Sequence, residues 1–562
     1  MQAIETILDL ETERVDDIPL LSEHLNRMEI AKTIDETISV HGNWQGISLG
    51  TVIVVWLVYI LSQGDHRLSR VEEWVSAHLH TLRECFGAAI KHEYWNDDHL
   101  ERVLRYLSEP SSWMSLEQAM GRSIIQAYAI SAEAVVRVDT TAASGYYSVS
   151  EDGLFQFGKS KDHRPDLPQV KVSLATLDPL GLAVATQVVP GHRADDPLYL
   201  PVIAQVRETF PETPHLYVGD SKLGSVGNRG AIVASGDQYL CPLSLKQCSA
   251  EQLQDYLQWA NEHSVAMTPV EWDYADGRAE EIAQGFERTQ QITARLPDGR
   301  EVHWQERHLV VQSYAFQAAQ KRGLEQRLSQ AKADLDYLNV RRRGKRRWRS
   351  QAALKEQVTA ILKRYRVDGL WQLTYREPTD TEDAQVHSQL NHSALEAQLA
   401  QCGWRVYATN STPELLSFDK AVCVYRDEYI VERSFGRFKG SPLSLSPLYL
   451  QKDDHITGLI HLLSIGLRVL NVLEFQVRRA LQQQNTDLAG LYAGNPKRRT
   501  RNPSAEKLLE AFQNITLSVV YLPEQTGTHL TPLSPVQQTI LNLLDFPIAV
   551  YTGLHELSLK SP

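Results

Sequence analysis

The spacing of apolar residues changes along this 562-residue chain. Up to about residue 130, apolar positions recur every three or four residues, as on amphipathic helices, with breaks at glycines and at Pro110. The pattern predicts helices over 19–34, 47–62, 68–84, 98–108 and 114–130. We therefore expect residues 1–130 to form an all-helical domain.

Short β-branched runs replace this pattern after residue 130. They predict strands at 134–139, 170–177 and 182–189, with Asp178-Pro179-Leu180-Gly181 as the turn between the last two. A helix at 196–209, a strand at 215–219, a helix at 224–234 and a strand at 237–242 follow. Three antiparallel strands, a helix and two further strands indicate the first part of a mixed α/β core, over residues 131–245.

The middle of the chain departs from that core. Strand-like runs at 265–273, 289–296, 301–313 and 370–375 enclose a long helical stretch at 314–366. This combination predicts an insertion domain over 246–420, built from strands and basic helices. The second part of the core lies over 421–485 and includes a predicted helix at 453–483. Residues 486–562 form a tail rich in Pro, Thr and Leu.

One predicted helix, Tyr425–Lys439, carries a group of chemically active side chains. At about 100° per residue, Tyr425, Glu428, Glu432 and Lys439 fall within an arc of roughly 60°. Gly440, Ser441 and Pro442 follow at once, as is common where a helix ends. The pattern predicts one helix face that presents a phenol, two carboxylates and an ammonium; a mixed-charge surface helix is the alternative interpretation.

Composition narrows the class of protein. The chain is 43% hydrophobic and 22% charged, which is enough to bury several cores. The apolar run at 47–61 is shorter than the roughly 20 residues of a spanning helix, so we expect a buried core helix and no membrane association. Five cysteines without a Cys-x-x-Cys pair favour a reducing, cytoplasmic location.

The net charge of −12 argues against general adhesion to nucleic acid, but the charge is unevenly distributed. Residues 321–366 contain 15 Lys or Arg against 4 Asp or Glu, and residues 497–501 form a second basic cluster. Such strips can bind a polyanion. A solvated helix surface is the other interpretation.

The spacing from Tyr425 to Lys439 resembles the Tyr-x2-Arg-x3-Glu-x6-Lys pattern of DDE transposases of bacterial insertion sequences, the IS-four superfamily. Three of its four positions match, and Glu428 stands where the pattern has Arg. Asp139 in Val-Asp-Thr-Thr and Asp220 in Tyr-Val-Gly-Asp-Ser-Lys each come at the end of a predicted strand. Both precede the Tyr425 helix, which is the order in this family. The resemblance implies an RNase H-like core interrupted by an insertion domain, with an N-terminal helical domain that contacts the element's ends.

By this resemblance, Asp139, Asp220 and Glu432 form a catalytic triad that binds metal. Carboxylate oxygens are hard ligands that suit Mg²⁺ or Mn²⁺. Two such ions could stabilise both the attacking and the leaving oxygen of a phosphoryl displacement. The alternative is that the two isolated aspartates are turn or cap residues.

Several further residues are candidates for DNA contact. Tyr425 and Lys439 would hold terminal phosphates, and the loop at 158–166 would add the cationic or polar side chains of Lys161, His163 and Arg164. A plain polar loop is the alternative there. Trp304 and Trp348 lie near basic residues, and we expect one of them to stack on an unpaired base.

A competing motif lies at 153–160, where Gly-Leu-Phe-Gln-Phe-Gly-Lys-Ser matches the phosphate-loop pattern G-x4-G-K-S. Its interior alternates like a strand and Pro165 follows where a helix should open, so we expect no nucleotide site.

The expected function is therefore a DDE transposase that binds the terminal inverted repeats as a homodimer, cleaves double-stranded DNA and transfers the freed 3′ end to target DNA. The alternative is a catalytically inactive, transposase-derived DNA-binding protein.

Overall fold

The computed structural model describes residues 9–130, 135–160, 164–212, 214–274, 277–341, 347–522 and 525–554. The chain divides into two compact units. The first contains Met1–Leu223, Ala234–Gln238 and Asp427–Pro562. The second contains Gly224–Val233 and Tyr239–Arg426.

The helices and the strands are each numbered in chain order. The helices are α1 (Ile18–Arg27), α2 (Ile30–Thr37), α3 (Leu49–Gln63), α4 (Val71–Ala77), α5 (Leu79–Phe86), α6 (Asp97–Ser108), α7 (Pro110–Ala127), α8 (Tyr199–Thr209), α9 (Val226–Ala234), α10 (Ala250–Glu262), α11 (Tyr314–Leu338), α12 (Gln351–Tyr365), α13 (His392–Ala400), α14 (Phe418–Arg426), α15 (Tyr429–Lys439), α16 (Asp453–Gln483), α17 (Ala505–Glu510), α18 (Pro535–Leu543) and α19 (Ala549–Thr552). The strands are β1 (Asp9–Arg14), β2 (Val135–Ser144), β3 (Gln169–Leu177), β4 (Leu182–Pro190), β5 (Leu216–Val218), β6 (Gln238–Pro242), β7 (Thr268–Asp273), β8 (Ala279–Arg295), β9 (Glu301–Ser313), β10 (Trp371–Arg376), β11 (Gln385–Leu390), β12 (Trp404–Thr409), β13 (Leu488–Ala489), β14 (Arg499–Thr500), β15 (Thr516–Leu522) and β16 (Gln525–Leu530).

The first unit contains a sheet in the order β4-β3-β2-β5. β2 and β3, and β3 and β4, pair antiparallel, whereas β2 and β5 pair parallel. All nine residues of β3 are buried, as its nearly continuous β-branched and apolar sequence predicts. The mixed α/β class expected from the sequence is confirmed, and strands β3 to β5 lie within two residues of the predicted bounds.

The long helix α16 forms the centre of the first unit. It packs against α3, α6, α17, α18 and β4. By length and composition α16 could cross a membrane, but 94% of its most apolar segment is buried inside the protein. α3 could do so only together with the helical segment that follows it, and the two are bent by 88°. Leu49–Leu61 of α3 is buried apart from Thr51, so the prediction of a buried core helix is confirmed.

Two polar side chains of α16 that enter the core have partners there. Arg468 forms an ion pair with Glu117 of α7, and both are buried. His461 donates from Nδ1 to the carbonyl oxygen of Leu107 at 2.7 Å and stacks on Trp113 with 4.0 Å between ring centroids. These partners offset the cost of removing polar groups from water.

Both ends of the chain differ from the prediction. β1 pairs antiparallel with β15, and β15 pairs with β16, so the first 130 residues are not all-helical and the C-terminal region contains strands that the sequence did not predict. β1 has the sequence Asp-Leu-Glu-Thr-Glu-Arg, and its Leu10 is 53% exposed. A strand with so little apolar character depends on its distant partner, which a local pattern cannot reveal.

The second unit contains a run of neighbouring antiparallel strands. β6, β12, β9, β8 and β7 are neighbours in that order, and all four pairs are antiparallel. α11 and α12 pack with the β10–β11 hairpin around a hydrophobic cluster that includes Leu328, Trp348 and Val358. β11, α13 and β12 have no counterpart in the predicted elements, and β8 begins ten residues before the predicted strand at 289.

Candidate active site

Asp139 lies on β2, and Asp220 follows two residues after the end of β5, the parallel neighbour of β2 in the first unit. The register of β2 and β5 aligns Val135 with Leu216 and Arg137 with Val218. Continuing it by two residues brings Asp139 opposite Asp220. A Cβ on Gly219 would lie 3.0 Å from the carbonyl oxygen of Val138, so the two backbones remain close at this point. The structure therefore places the two aspartates side by side, although β2 continues to Ser144 and Asp139 does not end its strand as predicted.

Tyr199, the first residue of α8, contacts Asp220. Its hydroxyl donates a hydrogen bond to Asp220 Oδ1 at 2.6 Å, and the backbone N–H of Lys222 donates to the same oxygen at 2.8 Å. Burial raises the pKa of Tyr199 well above its usual value, and the negative charges of Asp220 and Asp139 raise it further. Tyr199 is thus a buried phenol beside both carboxylates.

Other charged groups near this site form ion pairs. Lys171, of which only 4% of the side chain is exposed, lies 2.6 Å from Asp195 Oδ1. Lys222 Nζ lies 3.4 Å from Asp196 Oδ1. Each of these two aspartates is therefore held by a lysine. The backbone N–H of Thr140 donates to Asp139 Oδ1 at 2.7 Å.

The predicted helix at 425–439 is interrupted. α14 ends at Arg426 and α15 begins at Tyr429. At the junction the N–H of Ile430 donates to the carbonyl oxygen of Asp427, a tighter turn than the α-helical one, which changes the angular register. Tyr425 belongs to the second unit, where its ring lies 4.7 Å from that of Tyr407. The prediction of a single helix face is therefore wrong for Tyr425.

Glu428, Glu432 and Lys439 remain associated with α15. The N–H of Glu432 donates to the carbonyl oxygen of Glu428 at 3.3 Å, so the two glutamates are one turn apart as predicted. Lys439 is the last residue of α15, and Gly440 follows it. The predicted end of the helix is confirmed.

α15 packs on β2 and on the turn between β3 and β4. A Cβ on Gly181 would lie 3.0 Å from Ile430 Cγ2 and 3.1 Å from Ser434 Oγ, so a side chain at this turn would require the helix side chains to shift. Glu432 lies about 200° around the helix from Ile430, on the opposite face. Its side chain is exposed, and within the described part of the chain its carboxylate has no hydrogen-bond or ion-pair partner.

The triad is therefore assembled in part. Among the described residues, no group of three or more His, Cys, Asp or Glu side chains is arranged to hold a metal ion. Asp139 and Asp220 are adjacent, and both hydrogen bonds that the Asp220 side chain accepts from described residues go to Oδ1. Two adjacent carboxylates with an oxygen available fit the donor chemistry of Mg²⁺. Glu432 is on a helix that packs against β2, but the structure does not gather it with them.

The loop predicted to contact DNA is described only in part. Arg164 is exposed and donates from Nε and Nη2 to the two carboxylate oxygens of Asp166, at 2.9 and 2.7 Å. Its charge is therefore compensated within the loop. Lys161 and His163 lie outside the described residues. The phosphate-loop pattern at 153–160 buries Leu154 and Phe155 and includes no helix, as expected from its apolar alternation.

Neither tryptophan predicted to stack on a base has an accessible ring. Trp304 is 7% exposed, and its indole N–H donates to the hydroxyl of Tyr239 at 2.8 Å. Trp348 is 6% exposed and lies in the hydrophobic cluster of α11 and α12. The structure therefore contradicts the proposed stacking by either residue. The sequence alternation of Glu301, His303 and Gln305 with Val302 and Trp304 could have indicated that Trp304 points inward.

Comparison with known families identifies one segment. Residues 10–112 match the family model described as a domain of unknown function, DUF4277. No curated protein matches the chain. The matched segment runs from β1 into the beginning of α7, and so precedes Asp139, Asp220 and Glu432.

Proposed function

We propose that this protein is a DDE transposase of the IS-four type, which binds the terminal inverted repeats of an insertion sequence and catalyses metal-dependent DNA cleavage and strand transfer. The observation that supports the proposal best is that Asp139 lies on β2 and that Asp220 follows two residues after the end of β5, the parallel neighbour of β2. The two residues are 81 positions apart in sequence, and a pair of turn or cap residues would not be expected to meet in this way.

The arrangement around this pair supports the proposal further. β2, β3, β4, α8 and β5 follow the order of an RNase H-like core, and the helix that carries Glu432 packs against β2, the strand of Asp139. The Tyr-Glu-Glu-Lys spacing provides the family resemblance. We infer an RNase H-like fold for this part of the first unit on these grounds.

In this proposal Asp139, Asp220 and Glu432 would hold one or two Mg²⁺ or Mn²⁺ ions. Such ions supply Lewis-acid stabilisation of the phosphoryl-transfer transition state. Asp139, on β2, and Asp220, two residues after β5, would contribute hard oxygen ligands. Lys439, the half-buried last residue of α15, would contribute a cation for contact with a DNA phosphate.

Partners and location are part of the same proposal. The protein would act in the bacterial cytoplasm as a homodimer on DNA, with inverted-repeat and target duplexes as partners. The basic residues of 321–366, in the second unit, are candidates for contact with the phosphate backbone. A cut-and-paste reaction would use the 3′-hydroxyl freed by the first nick as the nucleophile for strand transfer.

The competing candidate is a transposase-derived DNA-binding protein without chemistry. The exposed Glu432, which is not gathered with the two aspartates, is the observation that favours it. Purified protein, end-labelled DNA from both flanks of the encoding gene and Mg²⁺ distinguish the two on a denaturing gel. Cleavage at a defined phosphodiester that stops with EDTA supports the transposase; a mobility shift without cleavage supports the binding protein.

A further inference from the structure

Tyr199 is a buried aromatic residue whose polar atom contacts a candidate metal ligand. Tyr199 is 1% exposed and is the first residue of α8. This helix packs against β2, β3 and β4. The packing of the helix therefore holds the hydroxyl in place. At 2.6 Å the bond to Asp220 Oδ1 is in the range of a strong, charge-assisted O–H···O⁻ hydrogen bond.

The direction of this bond follows from the chemistry of the two groups. An ionised carboxylate can only accept, so the phenol must be the donor. The N–H of Lys222 donates to the same oxygen, at 2.8 Å. Two donors on Oδ1 fix the rotation of a side chain whose terminal torsion is otherwise broad.

We infer that Tyr199 is a positioning residue, which orients the Asp220 carboxylate so that Oδ2 is available to a divalent cation. The inference rests on the proposed function for the identity of the ligand. Groups that hydrogen-bond to metal ligands orient them, and their loss typically lowers metal affinity by about 10–100-fold. Tyr199 makes no contact with substrate in this scheme; it acts through Asp220.

The chain offers a matched control for the loss of one buried phenol oxygen. Tyr217 of β5 is completely buried, three residues before Asp220, and its hydroxyl has no hydrogen-bond partner among the described residues. Tyr217→Phe and Tyr199→Phe remove the same atom from two buried tyrosines near the site. Only Tyr199→Phe removes a bond to a candidate ligand.

The test measures binding of Mn²⁺ to the full chain without DNA, by electron paramagnetic resonance of the free ion. We expect Tyr199→Phe to raise the Kd for Mn²⁺ by about 10–100-fold, and Tyr217→Phe to change it by less than about 3-fold. Thermal melting of both variants checks that they fold. In cleavage assays, Tyr199→Phe should raise the Mg²⁺ concentration for half-maximal rate, and excess Mg²⁺ should restore much of the rate.

The outcomes separate this inference from the proposed function. Equal Mn²⁺ affinity in wild type and Tyr199→Phe would overturn the positioning role even if the wild type cleaves DNA. A loss of affinity specific to Tyr199→Phe, with no cleavage by the wild type, would retain the role and overturn the transposase. If the wild type does not bind Mn²⁺ at all, the inference fails.

Discussion

Arg437 of α15 and Glu474 of α16 form an ion pair in which each side chain is no more than 5% exposed. Arg437 also lies 2.6 Å from Glu506 Oε1, and its Nη1 donates to Asn471 Oδ1 at 2.6 Å. Asn471 in turn donates to the carbonyl oxygen of Gly181 at 2.6 Å. This network joins the helix that carries Glu432 to α16 and to the sheet.

Glu474 is the residue on which the network depends, because Arg433 and Arg478 also lie within 2.8 Å of its Oε1. Removing one partner of a buried ion pair typically costs about 3–5 kcal/mol. We therefore expect Glu474→Ala to lower the free energy of unfolding by about that amount in urea titrations. Glu510→Ala, which breaks an exposed pair with Lys507, should cost about 1 kcal/mol or less. Similar losses for both variants would contradict the anchoring role.

Glu432→Gln tests the third member of the triad. An amide is a weaker ligand than a carboxylate and carries no charge to offset a cation. Metal-dependent cleavage should fall by more than about 100-fold, beyond the loss typical of a residue that only orients a ligand, while affinity for the DNA ends is retained. Rates are measured on labelled ends and affinity by filter binding. Cleavage near the wild-type rate would remove Glu432 from the triad.

Lys439→Ala tests the contact with phosphate. Each phosphate neutralised by a cation adds about 0.9 to the slope of log affinity against log salt. The variant should bind cleaved ends more weakly, with the slope reduced by about 1. Glu428→Arg, which restores the pattern of the resembling family, should bind equally well or more tightly. An unchanged salt slope in Lys439→Ala would mean that Lys439 does not contact DNA.

His461 makes stability depend on pH. Its burial lowers its pKa to about 3, whereas in an unfolded chain it titrates near 6.5. Between these two pKa values the unfolded state binds a proton that the folded state does not. The contribution of neutral His461 to the free energy of unfolding is therefore complete above about pH 6.5. It decreases as the pH falls, by up to about 1.4 kcal/mol per pH unit.

His461→Asn isolates this contribution, since an asparagine amide can also donate to Leu107 but does not titrate. We expect the variant to be less stable at pH 7, where it lacks the stacking on Trp113, and to lose less stability than the wild type between pH 6.5 and 4. Urea titrations across this range measure the difference in free energy of unfolding between the variant and the wild type. Other buried titratable groups, such as His24 and Asp17, contribute equally to both proteins and so cancel in this difference. Parallel pH profiles would contradict the assignment.

The sequence predicted the elements whose determinants are local. β3 and β4 are apolar runs separated by a turn signal, and α16 is a long apolar helix with Asp453 and Asp454 in its first turn. These three elements need no knowledge of distant partners. The approach of Asp139 to Asp220, in contrast, is expected from the family resemblance and not from the local pattern.

Other features depend on packing between distant segments. Asp427 and Glu428 are compatible with a helix, so the break between α14 and α15 leaves no signal in the local sequence. β1 requires β15, about 500 residues later. Tyr199 appears only as an apolar position of a predicted helix, and its bond to Asp220 becomes visible when α8 is placed on the sheet.

Replacement of Asp220 tests the central claim, that this pair of aspartates binds the ion used for DNA cleavage. Mn²⁺ accepts a sulfur ligand more readily than Mg²⁺, which requires hard oxygen ligands. Asp220→Cys and Asp220→Ser are of similar size and differ in the sulfur atom. The measurement is the cleavage rate of labelled inverted-repeat DNA by each variant in Mg²⁺ and in Mn²⁺. We predict that both are inactive in Mg²⁺ and that Mn²⁺ restores cleavage only to Asp220→Cys; cleavage by Asp220→Ser in Mg²⁺ at the wild-type rate would contradict the account.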